Sequence, residues 1–222
     1  MVMYLNRSRS IASSKALALR YLVRDTNFTI VSNNCWGSHI YRALDIKYQS
    51  PFVGLFLLPK CYLNLLRRFD YFVRADLSFA RESRAASINA WRQREHLDYP
   101  IGLLDGQVEI HFQHYTGREE AHSKWQRRCQ RITPDPTRCF FKFDDRQGAT
   151  AEDISSFCSL PFANKVCFTR NPQALSTIIV PGNPDEPHVA DGLELSRISH
   201  RYFNTLRWLS TRSFRVPLPS LL

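Results

Sequence analysis

Phe28-Thr29-Ile30-Val31-Ser32-Asn33-Asn34-Cys35-Trp36-Gly37-Ser38-His39-Ile40-Tyr41 is the stretch whose reading decides the fold. An apolar, β-branched run stops at Ser32, a polar turn follows, and Ile40, Ala43 and Leu44 then take up helical spacing. Strand, tight turn and helix in that order define the corner of an α/β protein where ligands bind, at the carboxyl end of a strand. Gly37 can admit a close backbone approach, and Ser38 can cap a helix beginning beside it. The free N–H groups of such a helix start favour an anion. On this reading Gly37→Val removes ligand binding with little effect on the fold.

Working outward, Phe52–Leu58 is apolar throughout, as a strand covered on both faces should be. It is expected to lie beside Phe28–Ser32, parallel to it, through a right-handed crossover. Tyr62, Leu65, Leu66 and Phe69 mark the next helix, and residues 74–98 read as a basic, helix-prone segment around Ile88 and Trp91. Val108–His114 alternates with period two, which predicts a half-exposed strand towards one edge. Thr116 with Glu119 reads as a capping box, and Thr150 as the cap of a further helix. Strands are predicted over Cys139–Phe143, Lys165–Thr169 and Thr177–Val180, a loop over Pro181–Asp191, and one C-terminal helix through Ile198, Tyr202, Leu206 and Leu209. The fold class is therefore α/β: a three-layer α/β/α sandwich with a mostly parallel or mixed sheet, Rossmann-like. Residues 1–24 form a basic helical lead-in and residues 25–222 a single α/β domain. The lead-in reads either as a helix packed on the domain or as a peripheral contact with an anionic membrane.

The chain carries 30 Lys+Arg against 20 Asp+Glu, a net charge of +10 that favours an anionic small molecule or glycan as partner. Nucleic acid is disfavoured, because the basic residues are dispersed and no recognised binding signature occurs. The 6 Cys make no C-x-x-C pair, and Cys139, Cys158 and Cys167 stand in apolar segments. All 6 are expected to be unpaired thiols, which together with the lack of a signal or membrane-spanning segment points to the cytoplasm. Neither a cofactor nor an oligomeric state is assigned by these patterns.

Several residues carry chemistry in this pattern. Cys35 at a helix start reads as a nucleophile with a lowered pKa, or as a small buried hydrophobe. Asn33 and Asn34 can hold a substrate oxygen or shape the turn. Trp36 can stack on a sugar or plug the sheet end, and His39 sits in the first helical turn beside the anion site. His111 and His114 fall on opposite faces of a strand and so do not chelate together. His114-Tyr115 near that strand's end offers a general acid or base facing Cys35. Lys124, Arg128 and Arg131 share a helix face able to grip a diphosphate, or simply to be solvated. The P-loop, nucleophile-elbow and D-x-D patterns are missing, Asp144-Asp145 being the nearest approach to the last, and no metal ligands are assigned.

The Phe28–Tyr41 segment, Tyr99–Leu104, Glu109–Tyr115, Lys124-Trp125 with Arg128, and Tyr202–Ser210 together resemble a bacterial family, domain of unknown function 1919. Its members are often labelled exopolysaccharide biosynthesis proteins. The resemblance spans about residues 26–210. It implies a three-layer α/β fold and a role in capsule, lipopolysaccharide or exopolysaccharide assembly. It transfers no catalytic residues. The expected activity is group transfer from an anionic activated donor such as a nucleotide sugar; the alternative is a non-catalytic glycan- or partner-binding accessory protein.

Overall fold

The computed structural model describes residues 14–171, 177–182 and 186–210; residues 1–13 of the lead-in, with Arg7 and Arg9, lie outside the described residues. In chain order the first elements are α1 (residues 14–23), β1 (Thr29–Ser32), α2 (Trp36–Ala43), α3 (Pro59–Arg67) and α4 (Phe69–Phe72). Next come β2 (Leu77–Ala80), α5 (Ala86–Arg94), β3 (Ile101–Leu104), β4 (Val108–His111) and α6 (Arg118–Cys129). The last are β5 (Cys139–Asp144), α7 (Ala151–Cys158), β6 (Lys165–Thr169), β7 (Thr177–Ile179), α8 (Gly192–Ile198) and α9 (Thr205–Ser210).

The architecture is α/β. A parallel sheet runs in the order β1-β5-β6-β7, and an antiparallel sheet in the order β2-β3-β4. Alternation along the parallel strands divides the core into two layers. Val31, Phe141 and Phe143 pack with α3, α6 and α7 on one face. Ile30, Phe140, Val166 and Phe168 pack with Trp36, Tyr41, Leu195 and Trp208 on the other. A smaller cluster of Phe56, Tyr99 and Ile101, with Trp91 and Ile88, seats α5 on the antiparallel sheet. All 6 cysteines are unpaired thiols.

Phe52–Leu58 is not a strand of the parallel sheet, and the neighbour of β1 is β5, with Ile30 opposite Phe140. The segment is a buried loop. Its single ladder contact is Phe56 with His111 of the other sheet, while its Leu57 N–H donates to Asn33 O at 2.9 Å. An unbroken apolar run reports burial, not extended pairing, and Gly54 at φ +71° breaks the extension. A Cβ there would also stand 3.2 Å from the Tyr115 ring. The outward-facing groups of β1 are met by side chains instead: Tyr41 OH accepts from Ile30 N–H and donates to Phe28 O, and Ser50 Oγ donates to Ile30 O.

Four other expectations change. β4 is buried along its whole length, because the polar member of its alternation, Glu109, faces an internal cluster and not water. There Ser83 Oγ donates to Glu109 Oε1 at 2.5 Å, Arg84 N–H donates to Oε2 at 2.9 Å, and His111 Nε2 lies 2.9 Å from Oε1. Thr116 pairs with Glu120 rather than Glu119, and Gly117 is the N-cap of α6. The segment 74–98 contains strand β2 as well as helix α5. The single C-terminal helix is two, α8 and α9, separated by a turn at which Tyr202 is exposed. Thr150 does cap α7, in a reciprocal box with Asp153.

Candidate functional site

The carboxyl ends of β1 and β5 open into a concavity of about 820 Å³. Asn34, Cys35, Ser38 and His39 reach it from the turn after β1 and the start of α2. Val53, Gly54 and Phe56 form a wall from the buried loop, and Ile88 and Trp91 of α5 extend that wall. Gln113 and His114 enter after β4, Arg146 after β5, and His188 and Asp191 ahead of α8. Arg42, at the far end of α2, completes a rim with two guanidinium groups.

Beneath this floor lies a buried charge network. Lys142 and Asp144 are fully buried on the same face of β5 and form an ion pair. The Lys142 ammonium also donates to Asn33 Oδ1 at 3.2 Å and Asn34 Oδ1 at 3.1 Å. Asn33 and Asn34 return their amides to the Asp144 carboxylate at 2.8 and 2.6 Å. Burial opposes the Asp144 charge, but Lys142 and the two amides outweigh it and hold the carboxyl below its ordinary value. Asn34 Oδ1 further accepts the Trp36 N–H at 3.2 Å, so the network fixes the first turn of α2. The helix thus begins at Trp36, with Cys35 as N-cap, and the Ser38 hydroxyl donates back to Cys35 O at 2.6 Å instead of capping. Asp145 is equally engaged: Thr169 Oγ1, Arg170 N–H and Val189 N–H all donate to it. Among the described residues, no group of three or more His, Cys, Asp or Glu is placed to hold a metal ion.

The residues singled out above fall into distinct places. Asn34, Cys35, Ser38, His39 and His114 share the concavity. Asn33 lies below it, 1% exposed. Trp36 does not reach it; the indole is wholly buried against Phe168 and Trp208. Gly37 faces the sheet and not a ligand, since a Cβ would stand 2.7 Å from Ile30 Cγ2. Its role is close packing of helix on strand. Tyr115 and Arg128 are buried supports: Tyr115 OH donates to Val53 O at 2.6 Å, and Arg128 Nη1 donates to Tyr115 OH at 2.5 Å. Lys124 pairs with Glu120 and sits over the Tyr115 ring. His114 follows the end of β4, and its N–H donates to Gly54 O at 3.0 Å.

Burial, more than the helix start, governs Cys35. Desolvation pushes its thiol up despite the Gly54 N–H, Lys142 and Arg42, and the Sγ donates to Leu55 O at 3.8 Å. The expected lowering is reversed, and the thiol stays protonated near neutrality. His39 moves down, through burial and the positive field of Arg42 and Arg197. Lys142, Arg42, Arg146, Trp91 and His188 were not identified from the sequence. Lys142 had a signal, a lone lysine in the aromatic strand Cys139-Phe140-Phe141-Lys142-Phe143. Arg146 and His188 had none, because only the fold brings their loops to the turn after β1.

The family Domain of unknown function (DUF1919) matches residues 6–210. The chain belongs to this family. It is 32% identical over 198 residues to a Haemophilus influenzae protein described as "Uncharacterized protein", covering 86% of this chain and 88% of that one. The family match takes in the turn after β1, Lys142, Asp144 and the loop carrying Arg146.

Proposed function

We propose that the concavity binds an anionic activated donor, a nucleotide-activated sugar, and that the chain is a cytoplasmic group transferase of surface-polysaccharide assembly. One observation carries this reading: Arg42, Arg146, His39, His114 and His188 surround a single cleft that has an aromatic wall of Phe56 and Trp91. Guanidinium groups suit phosphate oxygens, and the half-buried Trp91 indole, packed on Phe56 and Tyr99, suits a sugar ring or a base. Trp91 takes the stacking role considered above for Trp36. His114 accepts the proton of the acceptor hydroxyl as general base. Cys35 lines the cleft as a neutral thiol and not as a nucleophile. The link to polysaccharide rests on the family resemblance.

The engaged Asp144 and Asp145 and the protonated Cys35 favour a second reading, a glycan-binding accessory protein without chemistry. Calorimetry with a panel of nucleotide sugars, and inorganic phosphate as control, addresses binding. Arg42→Gln and Trp91→Ala should each weaken it about tenfold or more. Loss of polysaccharide in His114→Ala, with donor affinity kept, supports transfer; retention of polysaccharide in that variant supports the accessory role. Failure of every nucleotide sugar to bind refutes the transferase reading, and failure of a panel of acidic oligosaccharides as well refutes the accessory one.

A further inference from the structure

Helix α1 is apolar on both of its faces. Ala16, Leu19 and Val23 turn inward, Ala16 and Val23 fully buried, and Leu19 and Val23 join the core layer of Trp36 and Trp208. On the opposite face Leu17, Ala18, Tyr21 and Leu22 follow at spacings of one and four, which makes one contiguous stripe. Leu17 is 60%, Tyr21 83% and Leu22 55% exposed. Of the seven most exposed large apolar side chains among the described residues, these three stand on one helix. A surface helix of a globular domain ordinarily presents polar groups there. The helix is also held in place: Ser210 Oγ donates to Leu22 O at 2.8 Å, and Arg20 lies 3.9 Å from Asp45.

Charge selects the occupant of this stripe. Lys15 and Arg24 are exposed at its two ends. The neighbouring carboxylates are both engaged by arginine, Asp45 by Arg20 and Asp25 by Arg138 at 3.3 Å. The field around the apolar stripe is therefore positive, in a chain whose net charge is +10. We infer that α1 is an interfacial anchor that lays Leu17, Tyr21 and Leu22 into the headgroup boundary of an anionic lipid surface. No helix among the described residues is long and apolar enough to cross a membrane, so this contact is peripheral. It is independent of the ligand proposed for the concavity.

Flotation of the full chain with vesicles tests this. The protein should float with equal parts phosphatidylcholine and phosphatidylglycerol, less so as salt rises, and stay behind with phosphatidylcholine alone. Leu17→Asp with Tyr21→Asp should abolish flotation without moving the thermal midpoint, since both side chains are exposed. Leu17→Asn with Tyr21→Ser should do the same without adding charge. Lys15→Gln should weaken binding about fivefold. No flotation of the wild type, or flotation of either double variant to the wild-type extent, overturns the inference. So does a wild-type dimer in sedimentation that the double variants convert to monomer, because the stripe is then covered by a second copy.

Discussion

Replacing Lys142 by Met should unlock the buried charge network while preserving side-chain length. The ammonium and the Asp144 carboxylate are both fully buried, and removal of one member of such a pair costs about 3–5 kcal/mol. Asp144 keeps the two amide donors of Asn33 and Asn34, at 2.8 and 2.6 Å, which places the cost near the lower end, about 3 kcal/mol. With a urea slope of about 2 kcal/mol/M, the unfolding midpoint should fall by about 1.5 M. The pH dependence separates a lost charge partner from lost packing. In the wild type the Asp144 pKa is depressed, so its stabilisation is present above the ordinary carboxylate value and is lost as pH falls through the folded value. In Lys142→Met the stranded carboxylate has a raised folded pKa, and protonation on acidification relieves it. The deficit measured at pH 7 should therefore shrink at pH 5. A deficit that is the same at both pH values, or below about 1 kcal/mol at pH 7, would refute the ion-pair account.

Gly37→Ala should destabilise the fold by about 1–3 kcal/mol in thermal or urea unfolding, because its Cβ meets Ile30 Cγ2 at 2.7 Å; an unchanged midpoint would show that α2 shifts freely on β1. Burial opposes the charge of Glu109, but His111, Ser83 and the Arg84 N–H hold its pKa at about 2 against an ordinary 4.5, a difference of about 3 kcal/mol. That stabilisation is present above pH 4.5 and fades as pH falls towards 2, so Glu109→Gln should be less stable at neutrality and lose less on acidification; parallel pH profiles would contradict this. Cys35 should react with an alkylating reagent at pH 8 more slowly than a free thiol, as read by peptide mass mapping, and a rate equal to that of free cysteine would show a thiolate instead.

The corner at Ser32–Trp36 was legible in the sequence because an abrupt change from β-branched to polar residues is a local event. Strands β5, β6 and β7 were legible as short, mainly apolar runs closed by polar residues or proline. Phe52–Leu58 was misread because burial and strand pairing leave one signature in a short apolar run. Glu109 was misread because alternation cannot tell a charge facing water from one facing Ser83 and His111. In the concavity, residues close in sequence to the turn were within reach, whereas Arg146, His188 and Trp91 arrive from loops and a helix whose neighbours only tertiary structure sets. Trp36 and Gly37 had the right address and the wrong orientation: residues at a helix start divide between the cleft and the sheet, and side-chain type does not say which way each turns.

The loop over residues 50–58 has a consequence for how the molecule is made. Its Phe56 is bridged to the antiparallel sheet, while its Leu57 and Ser50 satisfy the outer margin of β1. Until the loop docks, β1 offers unmet backbone groups to any extended chain nearby, the template from which strand-swapped aggregates grow. The partner that anchors the loop, His111, lies more than fifty residues downstream, so docking waits for a slow long-range closure. Refolding at high concentration, or synthesis stalled before His111, is thus the moment of greatest exposure to misassembly. The wall of the cleft and the guard of the sheet margin are completed in the same step.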